Sequence, residues 1–195
     1  MARRSVILAL FFMMTALSAA GAQDQHAVPQ VPQWTEFQYP DRGFVVAFPG
    51  SPQVTSTPVR GQNPLMQHEF QVSLGDDTVY SVVVFEYPDG KAPKPDTDYY
   101  LKLVNAYAKG SETRVRRKGP ATIAARDGYE AAAEDGKGKL NHFVAIVADG
   151  DHIYMLASAG PKGHAQSKDA ERFRESFRLL SDPPAQSAAT PPEQD

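Results

Sequence analysis

The chain has 195 residues, a formal net charge of −3 and no cysteine. Without thiols it cannot hold disulfides, thiolate zinc sites, iron–sulfur clusters or a cysteine nucleophile. Its mild acidity gives no electrostatic reason to expect nucleic acid or an anionic membrane as a partner.

Arg3 and Arg4 precede an apolar run from Val6 to Leu17, and Ala20-Gly21-Ala22 follows. A positive start, an apolar stretch and small residues at a cleavage point are the parts of a secretory signal peptide. Residues 1–22 are therefore expected to be removed after Ala22, with Ala20 and Ala22 at the positions a signal peptidase reads. A bilayer span takes about 20 apolar residues, and Thr15 and Ser18 interrupt this run. The expectation is an exported chain, periplasmic or extracellular, with no membrane anchor after cleavage. Cleavage removes two arginines and no acid, which moves the formal charge from −3 to −5.

Residues 23–33 are polar and punctuated by proline, which makes them a flexible lead-in. The folded domain is read from 34 to 180. Thr35–Tyr39 and Phe44–Phe48 form two strands around the turn residues Pro40-Asp41-Arg42-Gly43. Pro49-Gly50-Ser51-Pro52 then ends the second strand, because proline cannot continue the ladder, and 53–64, with Pro58, Gly61 and Pro64, is expected to be a surface loop. In Met66–Leu74 one face carries Met66, His68, Phe70, Val72 and Leu74, and the other is polar, so this strand is half-buried. Gly75-Asp76-Asp77 turns the chain into a more buried strand, Val79–Tyr87, and Pro88–Pro95 is a loop. Asp96 or Thr97 caps a helix that Gly110 closes, with Tyr100, Leu103, Val104 and Tyr107 on its apolar stripe. Glu112–Lys118 and Asp127–Glu134 are strands, the first ended by Gly119-Pro120.

Leu140 to Ala159 is the most strongly patterned stretch. Asp149-Gly150 between two β-rich runs signals a hairpin. A two-residue turn there pairs Ile146 with Ile153 and Val144 with Met155. Phe143, Ala145 and Val147 then share the opposite face with Tyr154 and Leu156. Both faces are apolar, so the hairpin belongs in the middle of a sheet covered on both sides. A last helix starts near Ser167, with Ala170, Phe173, Phe177 and Leu180 as its buried stripe and Asp169 and Glu171 near its positive end. From Ser181 to Asp195 proline and alanine dominate, as in a disordered tail. Strands joined by short turns, with two helices, give an α+β class: an antiparallel β-sheet flanked by helices, an α/β/α sandwich.

Two stretches carry a resemblance: G-F-V-V-A-F-P-G-S-P at 43–52, and F-V-A-I-V-A-D-G-D-H-I-Y-M-L-A-S-A-G followed by A-E-R-F-R-E-S-F-R-L. With the element order, they make residues 34–180 similar to exported bacterial proteins of the PsbP-like superfamily, which also takes in Mog-like and DcrB-like proteins. The resemblance implies an antiparallel sheet with helices on both faces. It also implies accessory or binding roles without a shared catalytic motif, and fold by itself does not give function.

The five histidines, His26, His68, His142, His152 and His164, show no ligand spacing and no H-E-x-x-H pattern, so no metal or other cofactor is expected. Asp76, Asp77, Glu134, Asp135, Asp149 and Asp151 fall in turns, where acidic side chains bond nearby amides. No G-x-S-x-G elbow and no phosphate loop occurs. The densest charge run is Arg114-Val115-Arg116-Arg117-Lys118. Alternation places Arg114, Arg116 and Lys118 on one face, as a solvated edge strand or as a contact for an acidic partner. Together these readings predict a monomeric, non-enzymatic accessory or binding protein of the cell envelope. Its partner is an envelope protein or a small ligand, engaged through a groove between sheet and helix or through strand 114–118. The rival reading is a small periplasmic hydrolase using turn carboxylates or His68.

Overall fold

The computed structural model describes residues 32–59, 65–88 and 92–181. Residues 1–22, for which a signal peptide is expected, most of the lead-in and the tail from 182 lie outside the described residues. The elements run β1 (Thr35–Tyr39), β2 (Phe44–Phe48), β3 (Gln53–Pro58), β4 (Met66–Leu74), β5 (Thr78–Glu86), α1 (Thr97–Gly110), β6 (Thr113–Ile123), β7 (Arg126–Asp135), β8 (Leu140–Asp149), β9 (His152–Pro161), α2 (Lys168–Ser176) and β10 (Arg178–Leu179). Seven strands form one antiparallel sheet in the order β3-β4-β5-β9-β8-β7-β6, and β1-β2-β10 form a small second sheet.

The β8–β9 hairpin lies inside the large sheet, flanked by β7 and β5. Phe143, Ala145, Val147, Tyr154 and Leu156 pack into one core with the small sheet and α2. Val144, Ile146, Ile153, Met155 and Ala157 pack into a second core with α1. Two-sided burial is therefore what the sequence predicts. The register differs by two residues: Asp149 opposes His152, and Ile146 opposes Met155. The loop is Gly150-Asp151, which puts the glycine, at φ 55°, at the first loop position, where hairpin turns need a positive φ. A shift of two leaves every side chain on its predicted face, because the strand period is two.

The helix ends follow their caps. Asp96 accepts a hydrogen bond from Tyr99 N at 2.8 Å, and Ser167 accepts one from Ala170 N at 3.2 Å. Each satisfies an otherwise orphaned first-turn amide. An aromatic seam joins the small sheet to the large one. Phe44 meets Phe70 at 5.1 Å and Phe177 at 5.9 Å, while Phe173 meets Phe48 at 5.6 Å and Tyr80 at 5.3 Å. Such pairs add about 0.5–1.5 kcal/mol each beyond area burial, enough to fix how the two sheets sit on each other.

Three expectations are corrected. Residues 53–58 are not loop but the edge strand β3, paired with β4. Its exposure and its terminal proline hide it from a pattern that looks for buried alternation. Gly119-Pro120 does not end its strand: β6 continues to Ile123, with Pro120 opposite Tyr129. An edge strand tolerates a residue that cannot donate to a ladder. The turn instead uses Ala124 and Ala125 at φ 46° and 56°. Finally, Leu180 is 43% exposed and Leu179 only 2%. The helix stops at Ser176 and the chain becomes extended, which changes the periodicity and turns Leu179 inward.

Candidate functional site

The basic strand is reorganised by a β-bulge between Val115 and Arg117. Val115 opposes Ala133 and Lys118 opposes Ala131, so both point toward the α1 side of the sheet. Arg114 opposes Glu134 and Arg117 opposes Ala132, on the α2 side. The predicted common face for Arg114, Arg116 and Lys118 is thus broken by one extra residue, which inverts the side-chain parity. Arg116, the bulged residue, bonds Glu134 at 2.6 Å, and Arg117 reaches Glu130 at 3.4 Å. At least two cations of the run are therefore ion-paired at the surface.

Between this end of the sheet and the segment leading into α2 lies a groove of about 300 Å³. Arg117 and Glu130 form one wall, and Glu171 and Arg174 the other. Arg174 stacks over the Phe143 ring at 4.5 Å and donates to the Ala165 carbonyl at 3.0 Å, so its guanidinium is held rather than free to wander. The small sheet and α2 cover the centre of this face but not the β6–β7 end, which is why the groove is open.

A second cleft, of about 340 Å³, lies toward the other edge of the same face. Gln38, Tyr39 and the Pro40–Arg42 turn face Val54 and Ser56 of β3 and His68 and Phe70 of β4. The turn is held from below: Tyr154 Oη donates to the Arg42 carbonyl at 2.9 Å. Gly43 has φ 70°, and a Cβ there would stand 2.9 Å from that same hydroxyl. Ser56 Oγ is 2.8 Å from His68 Nδ1, and His68 Nε2 is 2.9 Å from Glu86 Oε2. Arg42 Nη1 lies 3.3 Å from the same carboxylate oxygen. Sequence reading singled out His68, but not Ser56, Glu86 or Arg42.

Of the other histidines, His26 lies outside the described residues, and His142 and His164 belong to opposite faces of the sheet. His142 accepts from or donates to the Tyr107 hydroxyl at 2.9 Å on the α1 side. His164 packs on Tyr80, ring centroids 5.4 Å apart, on the α2 side. Burial, ahead of nearby charges, lowers the pKa of His142, His152 and His164. Among the described residues no group of three or more His, Asp or Glu side chains converges on a point where a metal could sit. No helix among them is long and apolar enough to cross a membrane.

An antiparallel sheet with a helix on one face, and a helix plus a small sheet on the other, is a PsbP-like fold. Among solved structures the chain is similar to the solution structure of cyanobacterial PsbP (CyanoP) from Synechocystis sp. PCC 6803. The TM-score is 0.53 at 12% identity, over 84% of this chain and 98% of that one. At that identity the likeness is one of fold. No family model matches the sequence, and no curated protein matches it.

Proposed function

We propose that the chain is an exported accessory or binding protein of the cell envelope, closest in kind to the DcrB-like members of its resemblance group. It takes its partner in the groove between β6–β7 and α2. The observation that carries this is the groove's construction: an aromatic floor at Phe143 under four charges of both signs, left uncovered by the layer that buries the rest of the face. A mixed-charge rim over an apolar floor suits recognition of a protein surface that places an acidic side chain beside an apolar one. No nucleophile–base pair lines this groove, so the role there is recognition.

The test places a photo-crosslinking residue at Arg117 in cells and, as a control, at Asp76 in the β4–β5 turn. One dominant adduct is expected from position 117 and none from 76. Arg174→Glu should abolish the adduct while the chain stays folded, its stability lowered only by the lost contacts to Phe143 and Ala165, about 1–3 kcal/mol. Equal adducts from both positions, or an adduct indifferent to Arg174→Glu, would remove the groove from the reading.

A further inference from the structure

At the β3 edge, away from the groove, three strands bring together side chains that lie 12 and 18 positions apart in the chain. The register sets Ser56 opposite His68 and His68 opposite Val84, with Glu86 two residues further along β5. The His68 side chain is 6% exposed, and each ring nitrogen has a fixed partner. A carboxylate accepts only, so Glu86 takes the hydrogen of Nε2–H. Neutral imidazole then presents a bare Nδ1, and the hydrogen between it and Ser56 is the serine's own. A hydroxyl whose proton is held by an imidazole, itself oriented by a carboxylate, is the arrangement that makes serine nucleophilic.

The surroundings suit the chemistry. Ser56 is exposed on its strand, and with His68 it opens onto the second cleft. Tyr39, Pro40, Val54 and Phe70 give that cleft an apolar wall, and Arg42 is the cation at its polar end. The charged and titratable groups around His68 are Glu86 on β5, Arg42 and Asp41 on the turn, Tyr39 on β1, and His152 on β9 opposite Glu86.

We infer that Ser56 is the nucleophile of an acyl-transfer site that accepts small esters with an apolar acyl group. Ser56 Oγ attacks the ester carbonyl carbon as its proton passes to His68 Nδ1. The tetrahedral oxyanion has the Arg42 guanidinium as the nearest cation lining the cleft. It collapses with cleavage of the ester C–O bond, and the departing alkoxide takes the proton from His68 and leaves as an alcohol. Water then attacks the acyl-serine with His68 again as base. The carboxylic acid departs, and the proton returns to Ser56. Ester and water become acid and alcohol, with no other reactant. Ser56 and His68 are the catalytic residues; Glu86 is a positioning residue.

The absence of cysteine makes this testable in two independent ways. A fluorophosphonate probe incubated with the purified chain should leave a covalent adduct on Ser56, located by peptide mass spectrometry. The adduct should fall at least about 10²-fold in His68→Gln, the lower end of the about 10²–10⁴ that a general base contributes. Glu86→Ala should slow the labelling of Ser56, and Glu86→Gln, whose amide oxygen still accepts from Nε2–H, should restore it in part. A merely structural Glu86 would leave the labelling rate of both folded variants at that of the parent. Separately, Ser56→Cys supplies a thiol at the same position, and Ser73→Cys supplies an exposed one on β4 away from the imidazole. At pH 6 iodoacetamide should alkylate the first at least about tenfold faster, since an adjacent imidazolium draws a thiol from about 8.5 into the range of about 3.5–7.5. This comparison stands even if His68→Gln fails to fold. No adduct on Ser56, an adduct unchanged in folded His68→Gln, or equal reactivity of the two thiols would each overturn the proposal.

Discussion

Two glycines of the large sheet test how its layers are packed. A methyl group on Gly128, in β7, would stand 2.5 Å from the Ile146 carbonyl oxygen and 2.8 Å from Ile123 Cδ1. A methyl group on Gly160, in β9, would meet the His164 ring, 2.5 Å from Nδ1. The first obstacle is backbone of the adjacent strand, pinned by the β7–β8 ladder. The second is a ring that can turn outward, although its own Cβ, 2.9 Å from the added methyl, cannot follow it. Overpacking costs about 1–3 kcal/mol, and Gly128→Ala belongs at the upper end. Restricting the unfolded chain returns about 0.4–1 kcal/mol, which leaves a net loss of about 2 kcal/mol. For Gly160→Ala the displaced imidazole gives up its contact with Tyr80, about 0.5–1.5 kcal/mol. It also frees Nε2, which has no hydrogen-bond partner among the described residues and whose burial unpaired costs about 1–3 kcal/mol. With about 1–3 kcal/mol of overpacking left at the Cβ contact and about 0.4–1 kcal/mol returned by the unfolded chain, the net change should lie within about 1 kcal/mol of zero. At about 2–4 °C per kcal/mol for a chain of this size, circular dichroism melts at pH 7.5 should fall by about 4–8 °C for Gly128→Ala. For Gly160→Ala they should move by less than about 4 °C. A freed His164 also loses the burial that lowers its pKa, so Gly160→Ala should lose less stability than the parent between pH 7.5 and 5.5. Equal melting losses for the two variants, with unchanged acid sensitivity, would refute the reasoning.

Acid should destabilise the parent chain. His142 and His164 are held below the ordinary imidazole range by burial, so the unfolded chain binds protons that the folded one refuses. Stability is unaffected well above about pH 6.5 and falls as pH drops through that value, by at most about 1.4 kcal/mol per pH unit for each histidine. Urea unfolding from pH 7.5 to 5 reads this, and a flat profile contradicts it. Phe173→Ala, at a fully buried position, should cost about 3–5 kcal/mol. Leu180→Ala, at an exposed one, should stay within about 0.5 kcal/mol of zero; guanidinium melts distinguish them, and a large loss at Leu180 would reverse their assignment. Ser167→Ala removes the cap of α2 and should cost about 1 kcal/mol in the same assay.

What could be read from sequence follows from what each element depends on. The β8–β9 hairpin shows its place because apolar residues fill both parities of both strands, and only an internal strand covered on two faces needs that. The caps at Asp96 and Ser167 are local chemistry and equally legible. β3 is not, since QVTSTP is exposed at every position and owes its conformation to β4. Ala124-Ala125 likewise carries no turn signature; the strands on either side impose it. The site at Ser56 inherits this invisibility. His68 stands out as a polar member of an apolar stripe. Its partners, however, depend on the register of a strand that sequence reads as loop. The bulge at Arg116 is a matter of one residue, and no local pattern announces it.

The two ends of the large sheet differ in a way that bears on assembly. β6 is bulged, carries Arg114, Arg116, Arg117 and Lys118, and contains Pro120, so its outer rim is a poor template for another strand. β3 is uncharged, with Val54 54% exposed. A sheet that can be extended at one rim alone is a monovalent unit. Two copies joined through β3 would present only their β6 rims to the outside, and growth would stop there. The geometry thus limits association through the rims of the large sheet to pairs, and a continuous ribbon built on that sheet would require it to open at least in part.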